Sequence, residues 1–124
     1  MSIDFFTLLA RKLRDDEIAR CKAMPYQEYL RSAWWQFVHH RTLKRAHWKC
    51  ELCRQRTARE AHHTTYVRIG EELPDDMVAL CRHCHQHITD NGLHKLSRRD
   101  LLRRRQEIMH SPEYQREKYQ RLEY

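Results

Sequence analysis

The sequence is nearly without glycine and proline: two glycines and three prolines occur in 124 residues. Tight turns that need a left-handed backbone are therefore few, and long helices are expected. It also lacks a long apolar run. The segment "IDFFTLLA" near the start is short, contains an acid and runs straight into "RKLRDDE", so it does not read as a secretory signal. No stretch approaches membrane-spanning length, and no membrane role is expected. Apolar surface is scarce, because 33% of the residues are charged. A domain this polar builds only a modest core, and a structural metal is the usual support for one.

What is abundant is positive charge, histidine and cysteine. Twenty-four basic residues against 17 acidic ones leave a net charge of +7, which favours a polyanion, nucleic acid first, as partner. Five cysteines without a secretory signal point to a reducing cytoplasm, where paired cysteines bind metal more often than they form disulfides.

Periodicity organises the chain as α+β and mainly helical. Ile3, Phe6, Leu9 and Leu13 recur at helical spacing, which predicts an amphipathic helix over residues 3–22, bounded by Pro25. Ser32 reads as the N-cap of a helix over 33–46, with Trp34, Phe37, Val38 and Leu43 as its buried side. Trp34 and Trp35 adjoin and cannot share one stripe, so both are expected to be partly buried. Strand-like "REAHH" and "DMVALC" flank a polar loop with Gly70 and Pro74. "CHQHITDNG" reads as a short helix stopped near Asn91 and Gly92. Ser97 caps a predicted helix over 98–109, with Leu101, Leu102, Ile108 and Met109 on one side. Ser111 and Pro112 start a last helix carrying Tyr114, Tyr119 and Leu122. The expected layout is N-terminal helices (1–48), a metal-bearing core (49–95) and basic C-terminal helices (96–124), all in one domain.

Cys50-x-x-Cys53 and Cys81-x-x-Cys84 are two C-x-x-C pairs separated by 27 residues. Each spacing lets one tight turn present two thiolates to one ion, and two such turns complete a tetrahedral zinc site. All four cysteines are therefore assigned to a structural zinc. Cys21 is left over, and its place in the first helix predicts a small buried core residue.

Of ten histidines, most read as surface. His39, His40 and His47 lie on or beside the second helix, His83 is expected to point outward from the second cysteine turn, and His110 sits at a helix end. His62, His63 and His85 differ, because they cluster on the strands and beside the last zinc cysteine. Neighbours on a strand point to opposite faces, so only one of His62 and His63 can turn toward a metal with His85. The other is left for water or a backbone group. That division suits phosphodiester hydrolysis, with one histidine activating water and a metal stabilising charge.

The segments "YLRSAWW", "HWKCELC", "AHHTTYVRIGEELPDDMVALC" and "CRHCH", from about Tyr29 to His85, resemble the HNH endonucleases of the zinc-stapled kind common in bacteria and phages. The resemblance implies a ββα-metal centre flanked by N- and C-terminal helices. It implies His63 as general base, His62 and His85 as ligands of a catalytic divalent ion, and Asp76 in the place of the family's middle asparagine. Many relatives have a further histidine four residues after the last ligand. That position here is Thr89, His87 is on the wrong side of a helix, and His94 lies beyond Gly92. Two protein ligands suit Mg²⁺, while imidazoles favour Mn²⁺, Ni²⁺ or Zn²⁺. The resemblance further implies 5′-phosphate and 3′-hydroxyl products.

For DNA, the candidate phosphate contacts are Arg54, Arg56, Arg59, Arg68 and Arg82 near the site, with Arg98, Arg99, Arg103 and Arg104 on the C-terminal helix. No base-reading motif is visible, so low or shape-driven sequence preference is expected. The alternatives are a non-catalytic zinc-dependent DNA-binding or adaptor module, and a nuclease subunit active only when a larger protein docks on the N-terminal helices.

Overall fold

The computed structural model describes residues 4–122. The elements are α1 (Phe5–Ala23), α2 (Tyr26–Tyr29), α3 (Ala33–Arg45), β1 (Glu60–His63), β2 (Met77–Leu80), α4 (Arg82–Asp90), α5 (Arg98–Arg103), α6 (Arg105–Met109) and α7 (Pro112–Leu122), with a single 3-10 turn at Pro74–Asp76. The chain is mainly helical with one small sheet, an α+β architecture. No helix among the described residues is long and apolar enough to cross a membrane.

The hairpin organises everything else. β1 and β2 pair antiparallel with Glu60 opposite Leu80, Ala61 opposite Ala79, His62 opposite Val78 and His63 opposite Met77. Because cross-strand partners share a face, the sheet has two distinct sides. Ala61, His63, Met77 and Ala79 face α3, where Ala61 and Met77 pack with Val38, Trp34 and Trp35, and Ala79 packs with Leu43. Glu60, His62, Val78 and Leu80 face α4. There Val78 and Leu80 join the largest core cluster with Leu52, Ile88, Leu101, Ile108, Tyr114 and the four cysteines. All four β2 residues are buried, as a strand covered on both faces must be.

The predicted caps are in place. Ser32, Ser97 and Ser111 accept from the backbone N–H of Trp35 (3.1 Å), Asp100 (3.1 Å) and Tyr114 (3.2 Å). The helix predicted over 98–109 divides at Arg104, and Arg105 Nε then ties α6 to the carbonyl of Leu52 at 2.7 Å. Cys21 is buried, as expected.

Four expectations are corrected. The apolar stripe of α1 does not pack on the body: Phe6, Leu9 and Leu13 are 78%, 41% and 61% exposed, because only the last turns of α1 reach the rest of the protein. Ile3 lies outside the described residues, as do the side chains of Tyr119 and Leu122. Phe37 is exposed, and Trp35 packs in the α3 seam beside Val38 and Trp34. His83 points inward, because α4 begins at Arg82 and so turns His83, Cys84, His87 and Ile88 together onto its buried face. Its ring meets Tyr114 at 4.5 Å between centroids. Asp76 belongs to the 3-10 turn, and β2 starts one residue later.

Candidate functional site

The two C-x-x-C turns meet. The Sγ atoms of Cys50, Cys53, Cys81 and Cys84 all lie within 4.8 Å of one another, and all four residues are buried. Each turn is closed by its own first sulfur, with Cys53 N–H directed at Cys50 Sγ (3.5 Å) and Cys84 N–H at Cys81 Sγ (3.4 Å). Crowding splits the proton affinities of the thiols: Cys53 is driven down, chiefly by its hydrogen bond with Cys50, and Cys84 is driven up, chiefly by its own with Cys50. Four convergent buried thiols are a donor set for one metal ion. The Tyr114 hydroxyl lies 3.3 Å from Cys84 Sγ, so α7 also supports this cluster.

The hairpin sends His62 and His63 to opposite faces. On the α4 side, the rings of His62 and His85 meet at 5.2 Å between centroids. His62 Nε2–H donates to the carbonyl of His94 at 3.0 Å, which leaves the Nδ1 lone pair of His62 free. Burial pushes His62 down to about 4, with the nearby His85 adding to the effect, so this ring is neutral near pH 7. His85 directs Nδ1 at the Glu60 carboxylate, which leaves Nε2 as its outward lone pair. Glu60 and His62 are two apart on β1 and therefore share a face. His94 folds back: Gly92 at φ 71° turns the chain, and Leu93 and Leu96 pack on the core on either side of it. Its Nδ1 is buried without a hydrogen-bond partner.

On the α3 side, the His63 ring lies between Trp35 (4.9 Å, 19° between planes) and Tyr66 (5.0 Å, 27°). Its Nε2 donates to Glu72 Oε2 at 2.9 Å. Glu72 is 2% exposed yet fully satisfied. It accepts from the Tyr29 hydroxyl, from Trp34 Nε1 (2.8 Å) and from Gly70 N (2.9 Å), while Arg41 Nη2 holds its carbonyl at 2.8 Å. Burial alone would raise this acid, but the bonds from His63, Tyr29 and Trp34 prevail and hold it down to about 2. It is a buried anion aimed at His63. Gly70, at φ 90°, permits the close approach of this loop to α1: a Cβ there would sit 2.9 Å from the Cβ of Cys21.

The two sides share a cavity of about 450 Å³ lined by His62, His63, Tyr66, His85, His94 and Lys95 among others. His62, His63 and His85 are thus brought together. Asp76 is not bonded to His63. Its carboxylate takes Arg68 Nε at 2.7 Å, which lowers its pKa, and its carbonyl takes Thr64 N at 2.8 Å, pinning the chain just after His63. Only the four cysteines, among the described residues, place three or more potential ligand atoms mutually within 4.8 Å.

The arginines fall into two groups. Arg68 pairs with Asp76, Arg98 with Glu51 (2.8 Å), Arg103 with Asp100 (3.0 Å) and Arg104 with Glu107 (3.1 Å). Arg54, Arg56, Arg59, Arg82 and Arg99 make no side-chain hydrogen bond or ion pair with any described residue.

Sequence reasoning missed Glu72 and Glu60, and it weighed a fold-back of His94 without choosing it. Strand alternation from His62 back to Glu60 is a usable signal. Glu72 has none, because it acts from a loop whose path only the tertiary fold sets. No family model matches the chain, and no curated protein matches it.

Proposed function

We propose that the chain is a metal-dependent DNA endonuclease of the HNH type, built on a ββα-metal centre stapled by a zinc ion at Cys50, Cys53, Cys81 and Cys84. The observation that carries this reading is the meeting of two arrangements in one cavity. One is a histidine held by a buried carboxylate, His63 on Glu72. The other is a pair of histidines whose second nitrogens are already fixed, His62 by the His94 carbonyl and His85 by Glu60. A base oriented by an acid and ligands oriented by outer partners are what water activation beside a cation needs.

In this mechanism His63 takes a proton from water at Nδ1, while Glu72 keeps the Nε2 proton in place and stabilises the imidazolium. The water oxygen bonds to phosphorus and the 3′ oxygen leaves, taking up a proton from solvent, to give 5′-phosphate and 3′-hydroxyl ends. A divalent ion, Mg²⁺ or Mn²⁺ with Ni²⁺ or Zn²⁺ as alternatives, would be held by His62 and His85 and would supply charge neutralisation for the phosphate and the leaving oxygen. His94 lines the same cavity, and its Nδ1 is buried without a hydrogen-bond partner. Asp76 pins the β1 end through Thr64 and positions His63 from behind. Lys95 lines the cavity and adds a cation for the phosphate.

The test is supercoiled plasmid with Mg²⁺ or Mn²⁺, beside a His63→Ala variant of matched zinc content. The wild type is expected to nick or cut it and the variant to leave it intact; intact plasmid with wild type under both metals contradicts the reading. A second reading, a DNA-binding zinc module without catalysis, draws support from the 1% exposure of the His63 side chain. A third, a subunit awaiting a larger partner, draws support from the exposed apolar face of α1. Action in a reducing compartment such as cytoplasm suits the unpaired thiols.

A further inference from the structure

A second concavity, of about 530 Å³, opens beside the cysteine cluster. It is lined by Gln55, Arg56, Thr57, Arg59, Cys81, Arg82 and His83. Three arginines converge there, and no carboxylate lines it. Elsewhere Arg45, Arg68, Arg98, Arg103 and Arg104 are each matched with an acid. Arg56, Arg59 and Arg82 make no side-chain hydrogen bond or ion pair among the described residues. Three like charges on one groove repel each other unless an anion lies between them.

The walls of the groove are fixed. Arg56 and Thr57 follow the first cysteine turn, where Cys50 N–H bonds the Arg56 carbonyl at 2.9 Å and Lys49 bridges to Thr57. Arg59 is anchored by its N–H on the Leu80 carbonyl at 3.1 Å, and Arg82 opens α4 directly after Cys81. The groove also adjoins the histidine cavity. Arg59 immediately precedes Glu60, and Arg82 lies one turn before His85 on α4. Glu60 and His85 bond to one another, which ties together the strand and the helix that carry residues of both concavities.

We infer that the Arg56, Arg59 and Arg82 groove is an anion site that takes backbone phosphates of a DNA strand leading into the histidine cavity. This rests on the nuclease reading for its ligand, and of the arginines expected to meet phosphate it favours those of the cysteine turns over Arg98, Arg103 and Arg104, which are already paired. A purely structural account also exists. A zinc ion on four thiolates carries a net charge of −2, and nearby arginines offset it. The two accounts differ in what salt does. Each phosphate neutralised adds about 0.9 to the slope of log affinity against log salt, so three contacts add about 2.7. Charges that only offset the thiolates add nothing.

The experiment measures binding of zinc-loaded full-length protein to a short fluorescein-labelled DNA duplex, without added Mg²⁺ or Mn²⁺, across a salt series. The variants are Arg56→Gln/Arg59→Gln/Arg82→Gln, the same triple to lysine, and Arg103→Gln/Arg104→Gln as the ion-paired comparison. The glutamine triple is expected to lower the slope by two to three, shrinking the loss of affinity between about 50 and 200 mM salt by about 40-fold. The lysine triple should keep the wild-type slope, and the paired control should lower it by less than one. A wild-type slope in the glutamine triple overturns the groove, whatever its zinc content or stability. Protein that binds with the expected slopes but never cuts DNA with Mg²⁺ or Mn²⁺ leaves the groove standing and overturns the nuclease reading. Wild-type protein that does not bind DNA overturns both.

Discussion

Glu72→Gln keeps the shape of a buried side chain and removes its charge. The carboxylate accepts at Oε2 from His63 (2.9 Å) and Tyr29, and at Oε1 from Trp34 (2.8 Å) and Gly70 N (2.9 Å). The indole and the backbone amide can only donate, so the glutamine oxygen must take the Oε1 place. Its NH₂ then faces Tyr29 and His63. The tyrosine hydroxyl can turn to accept, but His63 can accept at Nε2 only by carrying its proton on Nδ1. That is the nitrogen the proposed mechanism needs as a base. Hydrogen bonds to a charged group contribute about 1.5–3 kcal/mol each and neutral ones about 1, so the stability loss is about 2–4 kcal/mol after partial replacement. A histidine base in the wrong tautomer loses about 10⁴-fold in rate. The acid limb gives a second readout. The folded carboxylate is held down to about 2 against an ordinary 4.5, so its stabilisation is complete above pH 4.5 and is lost as pH falls toward 2. That limb is worth about 3 kcal/mol in wild type and is absent from the variant. Urea unfolding over this pH range and plasmid nicking near neutrality measure the two effects. A variant that cuts at the wild-type rate, or that keeps the same acid limb, refutes the reasoning.

Other predictions follow from single contacts. Gly70→Ala places a Cβ 2.9 Å from that of Cys21 at φ 90°, and it should lower stability by about 2 kcal/mol or more in denaturant unfolding; an unchanged midpoint contradicts the close approach. Glu60→Gln frees His85 from its orienting acid and should weaken Mn²⁺ binding about 10-fold by titration calorimetry, with the fold intact. Cys81→Ser, or zinc removal by a chelator, should abolish cooperative unfolding, because the cysteines sit inside the largest core cluster with Val78, Leu80 and Ile88. Elemental analysis that finds well under one tightly bound zinc per chain contradicts the zinc assignment.

The residues that were readable in advance carry local rules. C-x-x-C spacing lets one tight turn present two sulfurs together, and Ser32, Ser97 and Ser111 cap because a hydroxyl at that place satisfies a free N–H. Strand alternation required His62 and His63 to part, and the register sends them to α4 and α3. What was not readable depends on tertiary placement. The periodicity of α1 is real, but periodicity does not say whether a body lies against the stripe, and Phe6 and Leu13 face outward. The orientation of His83 turned on where α4 starts, a shift of a few residues that rotates a helix face. Glu72 reaches His63 across a loop, and the paired state of Arg98 depends on Glu51, far away in sequence.

The central claim is that His63 activates water for attack on a DNA phosphodiester. The most direct measurement nicks supercoiled plasmid with wild type and with His63→Ala at equal zinc content, in Mg²⁺ or Mn²⁺, and then treats the products with DNA ligase alone. The account predicts nicks from the wild type only, sealed without further treatment because they carry 5′-phosphate and 3′-hydroxyl ends. Nicks made equally by His63→Ala, nicks that ligase cannot seal, or no nicks at all would contradict it.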